Sequence, residues 1–258
     1  MKTMMKLAAA AALLGLSAGL ASAQTVKVGF SPEAYPPFWA ADASGKWTGW
    51  EVEIIAAICE EAKITCELTP IPWDGLIPAL TTKKIDAIMN SMSITDERKK
   101  TIDFSDKYYN TPTAVIGTKG EAFTADAAGI KGKVIGVQVS TTHAAYVKKH
   151  FADAAEIKEY QTQDEANQDL AAGRLDAVQA DAIALDGFLK TDQGKACCDL
   201  KGNVAEDLEV LGPGVGAGVR QDDAALKEKF NAGIKGIRAN GKYDEISKKY
   251  FDFDVYGG

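Results

Sequence analysis

Residues 52–90 read VEIIAAICEEAKITCELTPIPWDGLIPALTTKKIDAIMN, and their hydrophobic period changes repeatedly. From Val52 to Ala62, Ile54, Ile55, Ile58 and Ala62 recur at helical spacing, one face of an amphipathic helix. Cys66 to Ile71 reads as a strand and Asp74 to Thr82 as a short helix. Ile85 to Asn90 is the short apolar run of a buried strand. Upstream, Val26 to Phe30 reads as one more strand. Strand, helix, strand, helix, strand is the order of a parallel sheet with helices on its faces, so the fold class is α/β.

Downstream, a second α/β unit begins after Gly117. It runs through a strand at Val134 to Val139, a helix at Thr142 to Phe151 and a strand at Glu156 to Tyr160. A helix from Glu165 to Arg174, ended by Gly173, a strand at Asp176 to Ala180 and a helix at Asp181 to Lys190 complete it. Tyr109-Asn110-Thr111-Pro112-Thr113 joins the units, followed by strand character in Ala114 to Gly117. Gly-Pro-Gly-Val-Gly-Ala-Gly-Val-Arg at 212–220 is a second, glycine-rich crossing. Asp222 to Phe251 then reads as a helix through Leu226, Phe230, Ile234 and Ile237, a break at Gly241 and another helix from Tyr243. Two crossings imply a two-lobed clam-shell: residues 24–111 plus 216–258 form lobe one, and 112–215 lobe two with hinge strands at both edges. Ligands of open α/β sheets sit at the carboxyl ends of strands, and a cleft between lobes is a favoured pocket.

The first 23 residues read as a signal peptide. Lys2 and Lys6 precede an apolar run from Leu7 to Leu20, and Ala21-Ser22-Ala23 supplies small residues for cleavage before Gln24. That run is shorter than the roughly 20 residues a spanning helix needs. Export to the periplasm is therefore expected. Loss of Lys2 and Lys6 from 29 basic residues leaves 27 against 36 acidic ones, a net charge of −9. Such a chain is a poor partner for nucleic acid and slightly favours cationic ligands. Of four cysteines, Cys59 and Cys66 are spaced to close a short loop as a disulfide. Adjacent Cys197 and Cys198 admit either a strained bond or two free thiols. No His or second Cys pair lies at metal-ligand spacing, so no metal and no cofactor are expected.

Asn90-Ser91-Met92-Ser93-Ile94-Thr95-Asp96-Glu97-Arg98 follows the third strand of lobe one. Its hydroxyls and backbone N–H groups suit a carboxylate, and Arg98 can grip one bidentately. Equally, Thr95 can cap a helix and leave Arg98 in solvent. Asp181 follows the last lobe-two strand and can hold an ammonium or cap the next helix. Ser140, Thr141 and Thr142 open a helix, where free N–H groups meet carboxylates or the hydroxyls simply cap. Tyr35 and Trp73 follow the first and second strands as ligand walls or as core, with Glu33 as the one acid beside them on the first loop.

On these residues the chain from Gln24 onward resembles the periplasmic polar amino-acid-binding proteins of ABC importers, in particular the lysine/arginine/ornithine- and histidine-binding branch. The resemblance is carried by Ala34-Tyr35-Pro36-Pro37-Phe38, Gly49-Trp50-Glu51-Val52-Glu53, the Cys59/Cys66 pair, Trp73 to Leu80, Lys84 to Ile88, and Ser93 to Arg98 leading into Phe104-Ser105. It continues through Gly173-Arg174-Leu175-Asp176-Ala177 to Asp181, and Lys249 to Gly257. It implies a two-lobed binding-protein fold, an amino-acid ligand, a membrane permease as partner, and a monomer. It also implies that Arg98, assisted by Ser93 and Thr142, takes the α-carboxylate. Ser91 and Asp181 would take the α-ammonium, with Tyr35 and Trp73 sandwiching the side chain.

Two departures concern the side-chain end of the pocket. Pro32 stands where the branch carries an acid, with Glu33 as the available substitute. Val139 stands where the family has glycine, between Gln138 and the Ser140 to His143 turn. The expected ligand is arginine, ornithine, lysine or histidine; an opine or a neutral polar amino acid is the alternative within binding proteins. A periplasmic dehydratase of cyclohexadienyl acids shares the scaffold, but no G-x-S-x-G elbow, metal constellation or nucleotide fingerprint is present and no catalytic residue is assigned.

Overall fold

The computed structural model describes residues 25–257. The expected signal peptide, its cleavage site and Gln24 lie outside the described residues. Strand β1 (Thr25–Phe30) leads through a small hairpin, β2 (Ala40–Ala41) and β3 (Trp47–Thr48), into helix α1 (Trp50–Glu61). There follow β4 (Thr65–Pro70), a 3-10 turn at Trp73–Gly75 running into α2 (Leu76–Thr81), β5 (Ala87–Ile88), α3 (Asp96–Lys99) and β6 (Asp103–Tyr109). The second half opens with β7 (Thr113–Thr118), β8 (Val134–Gln138), α4 (Thr142–His150), β9 (Glu156–Tyr160), α5 (Gln163–Ala171) and β10 (Ala177–Asp181). It continues with α6 (Ala182–Leu189), α7 (Asp192–Cys197), β11 (Cys198–Asn203) and α8 (Leu208–Leu211), and the chain returns through β12 (Val215–Val219), α9 (Ala224–Ala239) and α10 (Lys242–Ser247).

Two five-stranded sheets result, ordered β4-β1-β5-β12-β6 and β11-β7-β10-β8-β9. In each, three strands are parallel, and the strand delivered by a crossing runs antiparallel to them: β12 against β5, β7 against β10. Helices cover both faces. On the first sheet, Ile54, Ile55 and Ile58 of α1 pack with Phe230, Ile234 and Ile237 of α9 and Ile246 of α10, while Leu76 and Leu80 of α2 cover the other face with Ile88 and Ile102. On the second, Ala144 and Val147 of α4 lie on one face and Leu170 of α5 with Leu185 of α6 on the other. Ile183 and Ala184 of α6 pack into the first sheet's core, so this helix serves both halves. Among the described residues no helix is long and apolar enough to cross a membrane.

Several elements differ from their expected bounds for identifiable reasons. The strand expected over 85–90 pairs only at Ala87–Ile88. Beyond it, the Asn90 side chain replaces the ladder, its Oδ1 accepting from the Ser31 N–H at 2.7 Å. The helix expected from Glu165 begins two residues earlier, because Thr162 and Glu165 form a reciprocal capping box; it ends before Gly173, left-handed at φ 71°. The glycine-rich segment at 212–220 contains a fully buried strand, β12. A Cβ at Gly216 would lie 2.9 Å from the Ile94 side chain, so glycine lets that strand lie close under the segment carrying Arg98. Strands β6 and β11 carry too little alternation to be read from sequence.

Cys59 and Cys66 are joined as expected, Cα atoms 6.1 Å apart, tying the end of α1 to the start of β4. Cys197 and Cys198 are also joined, at the junction of α7 and β11.

Candidate functional site

The three parallel strands of each sheet end facing the other sheet, and between those ends lies a cavity of about 550 Å³ including its mouth. Ten of the eleven expected site residues line it: Glu33, Tyr35, Trp73, Asn90, Ser91, Ser93, Arg98, Thr141, Thr142 and Asp181. Ser140 does not; its side chain is exposed at a left-handed φ of 59°, and only its carbonyl faces the site. Pro32 is exposed and absent from the lining, whereas the neighbouring Glu33 is present.

Of the readings of the Arg98 segment, the cap forms but does not leave Arg98 in solvent. Thr95 caps α3, accepting from the Arg98 N–H at 3.2 Å, and the Arg98 side chain still turns into the cavity. Its guanidinium donates to the Ser93 carbonyl at 2.8 Å and, across the cleft, to the Ser140 carbonyl at 3.2 Å. It lies 5.5 Å from the centre of the Trp73 ring. Burial lowers its pKa to about 10, with Asp181 acting the other way, so it stays cationic at neutral pH. Among the described residues its remaining N–H donors have no protein acceptor, and a planar fork so placed suits a carboxylate.

Asp181 ends β10 but does not cap α6, which has no side-chain cap bond. Its carboxylate instead accepts from the Tyr35 hydroxyl at 2.7 Å, from the other sheet, and lies 3.5 Å from His143 Nε2. Burial, then the Asp181 charge, pushes the Tyr35 phenol well above its ordinary range, so Tyr35 acts as a donor. Arg98 and Asp181 thus bring opposite charges from opposite sheets to one cavity.

In the lobe-two turn, Thr141 is the cap, accepting from the Ala144 N–H at 3.0 Å and donating to the Gln138 carbonyl at 2.7 Å. Thr142 is buried at the first turn of α4 and lines the cavity. Trp73 donates across the cleft to the Val139 carbonyl at 3.1 Å. Glu33 accepts from the Ser31 hydroxyl, and its carbonyl takes the Trp39 indole N–H at 2.6 Å, fixing that loop. Asn90 spends its Oδ1 on Ser31, while its buried Nδ2 has no partner among the described residues. A buried unsatisfied donor costs about 1–3 kcal/mol, which a ligand acceptor would recover.

Ser31, Ala34, Trp39, Gln138, His143 and Gln163 also line the cavity without having been assigned to it from sequence. Their positions at strand ends or in the first helical turn were the available signal. Glu51 gave less, being one of two acids at the start of an amphipathic helix; it is fully buried behind the site. Among the described residues no cluster of three or more His, Cys, Asp or Glu could hold a metal.

Compared with known proteins, residues 26–253 match the family described as bacterial extracellular solute-binding proteins, family 3. The chain is 47% identical over 239 residues to the L-arginine-binding protein of Pseudomonas aeruginosa, covering 92% of each chain. It is 39% identical over 251 residues to the lysine/arginine/ornithine-binding periplasmic protein of Escherichia coli, covering 95% of this chain and 96% of that one. Among solved structures, an ancestral arginine-binding protein bound to arginine superposes with a TM-score of 0.81 at 34% identity, over 88% of this chain and 98% of that one.

Proposed function

This chain belongs to the bacterial extracellular solute-binding proteins of family 3, and from that premise we propose that it is the periplasmic receptor of an ABC amino-acid importer, with L-arginine as its first ligand. It is a binding protein and not an enzyme. The observation that carries the ligand class is the pairing of Arg98 and Asp181 on one cavity between the sheets. A zwitterion presents a carboxylate and an ammonium a fixed distance apart, and this cavity offers one partner for each. The α-carboxylate docks on Arg98 and the free N–H groups of α4's first turn, with Ser93, Thr142 and the Asn90 amide beside them. The α-ammonium meets Asp181 and Ser91.

The ligand side chain then runs between Tyr35 and Trp73 towards Glu33, whose carboxylate suits a guanidinium or ammonium. Gln138 and Gln163 add amide groups to the same cavity. The identity to an L-arginine-binding protein supports arginine over the smaller cations. Lobe one receives the ligand first, and lobe two closes over it by bending at the two crossings. Burying both ligand charges is tolerable because each has a partner. A membrane permease reads the closed form, which the receptor presents as a monomer.

The test is a thermal-shift screen of ligand-stripped protein against the common amino acids, octopine and nopaline. A ligand at a thousandfold excess over its Kd stabilises by about 4 kcal/mol. The largest shift is expected with L-arginine, reduced selectively by Glu33→Gln, which should leave weaker neutral ligands unaffected. Shifts confined to opines or neutral amino acids would replace the ligand but keep the receptor. No shift with any of them would remove the amino-acid reading.

A further inference from the structure

Behind the cavity wall, Ser91 and Tyr108 converge on one buried carboxylate. Glu51, in the first turn of α1, is 0% exposed. Its Oε1 accepts from the Ser91 N–H at 2.8 Å and from the Tyr108 hydroxyl, and its Oε2 from the Ser91 hydroxyl at 3.1 Å. The Ser91 oxygen in turn accepts from the Tyr109 hydroxyl. Ser91 lines the cavity with a left-handed φ of 52°, unusual for a residue with a side chain, and the bond from its N–H to Glu51 holds that turn. A serine hydroxyl has one proton and two lone pairs. Here the proton goes to Glu51 and one lone pair to Tyr109, which leaves one lone pair for a ligand.

We propose that Glu51 is a positioning residue for the α-ammonium: it commits the Ser91 proton to itself, so that Ser91 meets the ligand only as an acceptor, and it sets a second negative charge behind Asp181. This rests on the amino-acid reading above and deepens it. Burial raises the Glu51 carboxyl to about 7, against the lowering effect of its bonds from Tyr108 and Ser91, with Asp181 raising it further. The other groups facing this network are Tyr109 beside Tyr108, Tyr243 of α10, whose hydroxyl bonds the Tyr108 carbonyl, and Tyr35 and His143 on either side of Asp181. A bound ammonium favours the ionised carboxylate. Binding therefore releases a proton near pH 7, and affinity rises from pH 5.5 to 7.5.

The test uses the full-length mature protein, L-arginine and its analogue lacking the α-amino group, 5-guanidinopentanoic acid. Glu51→Gln keeps hydrogen-bonding groups and removes the charge. It should weaken L-arginine about tenfold, the scale of one charge-assisted hydrogen bond, and leave affinity for the analogue unchanged. Calorimetry at pH 7 in buffers of different ionisation enthalpy should show proton release that disappears in Glu51→Gln. Equal losses for both ligands, or none, would make the network merely structural and overturn the proposal. Ser91→Ala supplies a second route, with loss expected for L-arginine alone. Wild-type protein that binds no amino acid overturns the underlying reading; binding that is indifferent to Glu51 overturns this inference alone.

Discussion

Arg98 joins a helix cap to the cavity, its backbone in the cap and its side chain in the lining. Thr95 satisfies its backbone N–H, and the guanidinium reaches Ser93 and, across the cleft, Ser140. Arg98→Ala should cost any α-amino acid about 3 kcal/mol or more, at least about a hundredfold in Kd, while the Tm of the ligand-free protein moves little. Asp181→Asn should act comparably, since Asp181 has no capping bond to preserve. Calorimetric titration checks both; micromolar binding retained by Arg98→Ala would refute the carboxylate role. At this scale, acids and bases at strand ends were legible as candidates because chemistry restricts what such positions can hold. The choice between capping and binding was not. It depends on where a side chain turns, and for Asp181 that is fixed by Tyr35, 146 residues away in sequence.

Elements were legible where periodicity is long and burial one-sided, as in α1, α4 and α9. They were illegible where a buried strand lacks a run of bulky apolar residues. β12 is buried at every position and built from Gly-Ala-Gly between valines, so neither alternation nor propensity marks it as a strand. The Cys59–Cys66 bridge closes a loop with a sequence separation of 7, and chain entropy gives it about 2.5 kcal/mol of stability. Replacing both cysteines by alanine should lower unfolding free energy by that amount in a urea titration. It should leave L-arginine affinity unchanged, because the bridge joins the ends of α1 and β4 remote from the cavity. A parallel loss of affinity would show that the bridge also tensions the Trp73 end of β4.

At the scale of the whole molecule, α6 is a contact between the two halves. Ile183 and Ala184 pack into the first sheet's core, and a Cβ on Gly187 would sit 3.0 Å from the Pro36 carbonyl oxygen. Gly187→Leu should therefore hinder closure, weakening L-arginine about tenfold or more through faster dissociation, while the ligand-free protein remains as stable as wild type. Stopped-flow dissociation with a parallel melt tests this; an unchanged off-rate would place Gly187 outside the closing surface. What the sequence determined by itself was the α/β class, the two crossings, the Cys59–Cys66 bridge and the residue types at strand ends. These follow from local periodicity, spacing and the chemistry of single side chains. Only the tertiary structure decided that Ser140 stays out of the cavity, that Glu33 rather than Pro32 faces it, that Asp181 meets Tyr35, and that Glu51 lies beneath Ser91. Each of these depends on how two sheets built from distant segments come together, and no local pattern encodes that geometry.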